Sequence, residues 1–566
     1  MANFLSSTRV RYARLALQYL MLLGIVLLIS RHDGAFRGEF GDFPDESAHY
    51  VSGLMVRDYL TSFHASRPFQ FAEMYYLHYP KVAVGHWPPL MYLIEGLWMI
   101  LFSPSRASLM CLMAALTALI GIIVYRMLRD RVGMWCALSA SVVTMALPVT
   151  QDYTTRVMAD IPLTLFSLVA ALFFARYLDL ESLKDSLGFG AFAAMALLTK
   201  GNAAALALLP PVAILLSRKW QLIRRFSLWS SALLVVAVCG PWYWMARRML
   251  NGDTWVQTSP SSSYVLFAAH AFSQRFPMIL GWPLLILAAL GLCVRVRRII
   301  QDPKSNSFWI AMISLAFSYF AALCLIPVGS IEDRYLLPAV PALVALSVGG
   351  LDWLAEFLPM ARAKSATLGV TLIALFAISP FRFRTGRNYG FAPIAETLDS
   401  SPEFRDDVML IASDSNGEGM FISEAALHEH RPGHFILRAT KVLSIEDWNG
   451  TRIRQIFDSP QQVEQYLDSV PVSVVLIDRS SSKEDFRDYE RLLDETIASH
   501  PDTWRLARTY PIWREDVECP DAVSVFVRKT PVRNPRGQIS IDMTNMLGGS
   551  ITTRPNDQQQ EKNLSH

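Results

Sequence analysis

The sequence predicts a multi-pass α-helical membrane protein of about eleven transmembrane helices, with a soluble α/β domain at its C-terminal end. Three observations lead there. Only 18% of the 566 residues are charged, against roughly a quarter in a soluble chain, while 52% are apolar and the mean hydropathy is +0.28. The apolar residues gather into long runs, such as Leu15 to Ser30, that carry no charge at all. After about residue 385 the composition becomes that of an ordinary soluble protein.

Charge and cysteine usage narrow the class. The formal net charge of +3 gives no reason to expect a nucleic-acid partner. The cysteines are Cys111, Cys136, Cys239, Cys293, Cys324 and Cys519, and five of the six fall inside apolar runs. Neither a disulfide framework nor a cysteine metal site is indicated. Arg9, Arg11 and Arg14 precede the first apolar run, as in a secretory signal, yet no small-residue cleavage site follows Ser30. Arg31, His32 and Asp33 come next, and the run reads as a retained first transmembrane helix.

Candidate spans lie at 15–30, 107–125, 133–150, 161–178, 187–199, 203–217, 226–246, 277–294, 307–328, 336–351 and 366–381. A further apolar stretch, 88–103, opens with Pro88 and Pro89 and contains Glu95; it is read as lying along the membrane surface. Basic residues test this count, because Lys and Arg collect in the cytoplasmic connections. With 88–103 kept out of the count, Arg9 to Arg14, Arg126 to Arg131, Lys184, Arg218 to Arg225, Arg295 to Lys304, and Arg362 with Lys364 all fall on one side. The opposite, outer side receives 31–87, 150–160, 199–202, 247–276, 329–335 and everything after 382. Counting 88–103 as a span would scatter the later basic loops.

The organisation is then a membrane domain, 1–385, whose first outer loop is 31–87; a soluble α/β domain, 391–530; and a tail, 531–566, whose polar composition predicts disorder. In the α/β domain, β-rich runs at 407–412, 434–439, 472–478 and 523–527 alternate with helical stretches at 418–430 and 483–499. No dinucleotide glycine fingerprint follows the first strand, and Ser413 to Gly419 reads as a polar strand-to-helix connection.

Polar clusters gather on the outer side. Asp45 and Glu46 open an amphipathic helix, where acids either favour its positive end or do chemistry. His86-Trp87-Pro88-Pro89-Leu90 fixes the chain at the entry to an apolar helix, a position equally suited to interfacial anchoring. Arg156 and Asp160 lie in the next outer loop, with Asp160 before a helix-starting proline, as an N-cap would be. Lys200 joins two short apolar segments of 13 and 15 residues, which reach roughly 20 Å and leave it recessed. A recessed cation needs an anion, either a phosphate or a nearby acid. Arg334 and Tyr335 stand at the outer end of another helix, where Arg offers a planar fork for phosphate or carboxylate, or snorkels to the interface.

These clusters, in this order and on one side, resemble the GT-C membrane glycosyltransferases, in particular the family of protein O-mannosyltransferases and the lipid A aminoarabinose transferase. The resemblance covers about residues 10 to 385 and rests on Asp45-Glu46, His86 to Leu90, Arg156 to Pro162, Leu198-Thr199-Lys200-Gly201, Gly240-Pro241-Trp242-Tyr243 and Arg334-Tyr335-Leu336-Leu337-Pro338. Where relatives often carry Lys before the two prolines, this chain has Trp87, which leaves any phosphate contact of this loop to His86.

The resemblance implies a sugar moved from a polyprenyl-phosphate donor to a lipid, protein or polysaccharide acceptor at the extracytoplasmic face, with inversion, in a cell inner membrane. It implies Asp45 as general base, Glu46 as its supporting partner or stand-in, and Lys200, Arg334, Arg156 and His86 as phosphate contacts. Asp160 and Tyr335 are assigned to sugar binding or to structure. No cofactor is required by this reading and no metal ligand is assigned. A divalent metal still has oxygen ligands on offer in Asp45, Glu46 and Asp160. The alternatives are a membrane oligosaccharyltransferase or glycan ligase and, further off, a lipid-linked sugar transporter, which would show internal repeats that this sequence lacks.

Overall fold

The computed structural model describes residues 2–62, 67–249, 261–303, 306–357, 364–401, 408–446, 453–480, 487–530, 539–542 and 550–553. Helix α1 (Ala2–His32) leads to three shorter helices, α2 (Pro44–Thr61), α3 (Pro68–His78) and α4 (Leu90–Leu101). The helical bundle continues with α5 (Arg106–Val132), α6 (Met134–Ala146), α7 (Pro148–Thr154), α8 (Asp160–Leu180), α9 (Leu183–Thr199), α10 (Leu209–Ser217), α11 (Phe226–Met249) and α12 (Ser262–Ser273). It ends with α13 (Phe276–Gln301), α14 (Ser307–Leu325), α15 (Val340–Leu354) and α16 (Lys364–Ala377). Two 3₁₀ helices, Gly201–Leu208 and Asp333–Ala339, run into α10 and α15.

All eleven apolar runs are helical, but they are not all full-length spans. Among the described residues seven helices are long and apolar enough to cross a membrane, and the bent pair α6–α7, 61° apart, makes an eighth. The remaining three runs fall short: α9 has 17 residues, 201–217 is part 3₁₀, and α16 has 14. Helix α4, in the stretch read as non-spanning, has 12 residues and reaches about 18 Å, well under a hydrocarbon core of ~30 Å. It packs on α2. Lipid gives helices no hydrophobic reason to associate, so close backbone approach matters. Gly291 and Gly350 supply it where α13 crosses α15: a Cβ on either would strike the opposing backbone.

Beyond the bundle come α17 (Ala392–Ser400), β1 (Val408–Ala412), α18 (Ser415–His428), β2 (Phe435–Arg438), α19 (Ala439–Val442), β3 (Ser444–Glu446) and β4 (Ile453–Gln455). Then follow α20 (Pro460–Ser469), β5 (Val472–Asp478), α21 (Asp488–Ser499), β6 (Trp504–Arg514) and β7 (Val517–Arg528). One five-stranded sheet runs in the order β2-β1-β5-β7-β6, with β1 parallel to both neighbours and β7 antiparallel to both of its own. Leu410 of β1 stands between Leu437 and Val475, and every residue of β1 is buried, as in a parallel strand covered on both faces. The tail expected to be disordered lies largely outside the described residues. Within it β8 (Ile539–Asp542) pairs antiparallel with β9 (Ser550–Thr553).

The sheet domain is bolted to the segment between α1 and α4. Glu39 accepts from the backbone amides of Gly390, Phe391 and Ala392 at 2.8, 2.9 and 3.0 Å, at the start of α17. Arg387, only 1% exposed, donates to the Asp33 carbonyl at 2.9 Å and to Asp42 at 2.7 Å. Tyr79 donates to Glu429 at 2.8 Å, and the same carboxylate holds His434 Nδ1 at 2.6 Å. These buried polar groups are mutually satisfied, which fixes the domain against one end of the bundle.

Candidate active site

Pro44 starts α2 and two acids fill its first turn, a favourable pairing of proline and negative charge with a helix N-terminus. Neighbouring residues on a helix point about 100° apart, so Asp45 and Glu46 face different partners. Glu46, 0% exposed, accepts from Arg106 Nη1 at 2.9 Å, Val157 N at 3.1 Å, Asp42 N at 3.0 Å and Gly41 N at 3.2 Å. Four donors occupy its two oxygens, and its work is to tie α2, α5 and the loop before α8 together. Asp45 instead accepts from Arg334 Nη1 at 3.0 Å.

Arg334 carries the cluster onward. Its Nε lies 2.9 Å from Glu332, and its guanidinium sits over the rings of Phe43, 4.5 Å, and Tyr335, 5.3 Å. Tyr335 in turn lies 5.6 Å below Lys200 Nζ. Lys200, recessed at the break between α9 and the following 3₁₀ helix, donates to both oxygens of Asp160 at 2.8 and 2.9 Å. Asp160 is the first residue of α8, whose cap is Ala159; its carboxylate serves Lys200 rather than the helix end. Arg156 lies 5.8 Å from the Phe43 ring and 5.6 Å from that of Tyr153. It is buried and forms no ion pair among the described residues.

Asp45, Lys200, Arg334, Arg156, Asp160 and Tyr335 therefore meet at one end of the bundle, beside the sheet domain. Burial raises the Asp45 carboxyl, but Arg334, His49 and Lys200 together bring it below the usual carboxylate range. His49 stands one turn along α2, with its ring 4.7 Å from Trp87 and 5.8 Å from Tyr92. It is 1% exposed, and its Nδ1 has no hydrogen-bond partner among the described residues. Burial pushes its pKa down to about 4, against the pull of Asp45. His86 is buried edge-on to Trp87 at 4.3 Å and is likewise lowered to about 4 by burial, with Asp45 opposing.

Residues 86–244 match the family model described as dolichyl-phosphate-mannose-protein mannosyltransferase. Two crystal structures of ArnT from Cupriavidus metallidurans share the whole architecture. The apo form has a TM-score of 0.54 at 13% identity, over 90% of this chain and 98% of that one. The form bound to undecaprenyl phosphate has a TM-score of 0.56 at 13% identity, over 92% and 99%. The chain has the ArnT fold. The Archaeoglobus fulgidus oligosaccharyltransferase, in complex with Zn and sulfate, is similar at TM-score 0.52 and 14% identity, over 81% of this chain and 68% of that one. No curated protein matches by sequence.

Three residues of this cluster escape a reading of the sequence. Arg106 is the ion-pair partner of Glu46, 60 residues away; its one signal is an arginine at the end of a span that the basic-loop pattern leaves without basic residues. His49 sits at i+4 from Asp45, which places it on the same helical face. Lys81, 5% exposed, bonds to the Ser415 carbonyl at 3.1 Å and carries no local pattern at all.

Proposed function

We propose that the chain is an integral-membrane glycosyltransferase that moves a sugar from a polyprenyl-phosphate donor to an acceptor at the extracytoplasmic face, with inversion. The observation that carries this reading is the placing of Asp45 against Arg334, next to the Lys200–Asp160 pair and Arg156, which forms no ion pair among the described residues, where the bundle meets the sheet domain. The multi-pass bundle would stand in a cell inner membrane with the N-terminus cytoplasmic and the sheet domain outside. A reporter fused after residue 385 should then be active only outside the cytoplasm.

The chemistry fits the groups. Phosphate leaves as a stable anion, so cations rather than an acid are needed to hold its growing charge. Arg156 has an uncommitted guanidinium for it, whereas the charge of Lys200 is already met by Asp160; Lys200 and Arg334 then act as the field around the phosphate. Asp45, held ionised by its cations, is a weak base. That suffices for an acceptor hydroxyl, whose proton becomes acidic only as the new C–O bond forms. Positioning supplies the remainder.

The three acids that could ligate a divalent metal do not fit one. Asp45, Glu46 and Asp160 are each engaged by a separate cation, and among the described residues no group of three or more His, Cys, Asp or Glu converges. No step is assigned to a metal. The reading is tested by mass analysis of polyprenyl-phosphate sugars and envelope glycans in a deletion strain complemented with the wild-type chain or with Asp45→Asn. Donor accumulation in the deletion strain that only the wild type clears is expected; clearance by both would remove Asp45 from its role.

A further inference from the structure

Lys81 lies in the seam between α2 and the sheet domain, and the transfer outlined above does not use it. Its ammonium makes one hydrogen bond among the described residues, to the carbonyl of Ser415, and forms no ion pair there. The nearby acid of the domain, Glu418, is taken by Arg438 at 2.8 Å, Thr440 N at 3.0 Å and Thr440 Oγ1 at 2.6 Å. The seam is tight around the lysine stem: a Cβ on Gly419 would strike Ser47 of α2 and come within 3.2 Å of Lys81 Cε. A buried ammonium met only by a neutral carbonyl is a poorly compensated charge, and an anion would complete it. Burial pushes its pKa down to about 7, with Arg438 adding to the fall and Glu418 and Asp45 opposing it.

The side on which Lys81 lies says which substrate it serves. Arg156, Arg334 and Lys200 come from the membrane bundle, while the groups around Lys81, namely Ser415, Glu418, Gly419 and Arg438, belong to the sheet domain. Asp45 is within the electrostatic reach of Lys81 and of Lys200 alike. We propose that Lys81 is an anion-binding residue for the acceptor, and that the acceptor carries a phosphate or carboxylate close to its nucleophilic hydroxyl. This assignment rests on the glycosyltransferase reading.

The test uses the full chain in detergent, with its membrane site saturated by undecaprenyl phosphate, and follows binding of inorganic phosphate by the shift in thermal unfolding. The wild type should respond to both ligands. Lys81→Met should bind inorganic phosphate at least about tenfold more weakly while keeping its response to undecaprenyl phosphate, which also shows that it is folded. Lys81→Arg should restore phosphate binding. Unchanged phosphate binding in Lys81→Met would overturn the site, and loss of undecaprenyl phosphate binding would move Lys81 to the donor. A wild type that binds undecaprenyl phosphate but not phosphate sinks only the acceptor site; one that ignores undecaprenyl phosphate sinks the transferase reading as well.

Discussion

The two walls of the site satisfy their charges differently. On the bundle wall, Lys200 meets Asp160, Arg334 meets Asp45 and Glu332, and Arg106 meets Glu46, each within 3.0 Å. On the wall facing the sheet domain, Lys81 has only a carbonyl among the described residues. The three pairs of the first wall are in place without substrate, as preorganised electrostatics require, and Arg156 beside them forms no ion pair among the described residues. The second keeps unused hydrogen-bonding capacity at Lys81, which the acceptor proposal above puts to use.

The comparison breaks first at Asp45. Asp45→Asn should lower kcat by about 10²–10⁴-fold with the protein still in the membrane, as removal of a general base does. Arg156→Ala should cost on the order of 10²-fold in kcat/KM for the donor with little change for the acceptor, measured by varying each in turn. Removing one member of a completed pair attacks stability instead. Glu46→Ala leaves Arg106 buried without its carboxylate, and should destabilise by about 3–5 kcal/mol, read as a drop in unfolding midpoint. Gly419→Ala, which crowds Ser47 at the seam, should cost about 1–3 kcal/mol and loosen the sheet domain, visible as faster proteolysis between 385 and 391.

The remaining effect is a pH slope. His49, His78 and His86 are held neutral by burial, with pKa values pushed down to about 4 from 6.5. The unfolded chain takes up protons near 6.5 that the folded chain refuses until about 4. Their contribution is thus full above about pH 6.5 and is lost as the pH falls toward 4. A thermal midpoint that falls over that window, and falls less in His78→Gln, is the expected result.

Much of this was legible in the chain. Apolar runs gave the helices, the alternation of basic loops placed Asp45, Arg156, Lys200 and Arg334 at one end, and hydrophobic strands such as Val472 to Asp478 marked the sheet. What a sequence does not carry is pairing at long range. Whether Lys200 would face a phosphate or an acid depended on Asp160, 40 residues back, and the role of Glu46 depended on Arg106. Span length was also hidden, because the break at Lys200 and the 61° bend between α6 and α7 follow from packing rather than hydropathy.

The four bonds on Glu46 have a mechanical consequence. One carboxylate staples three separate stretches of backbone, so that side of the chamber behaves as a rigid frame and any breathing that breaks the staple strands a charge in a dry interior.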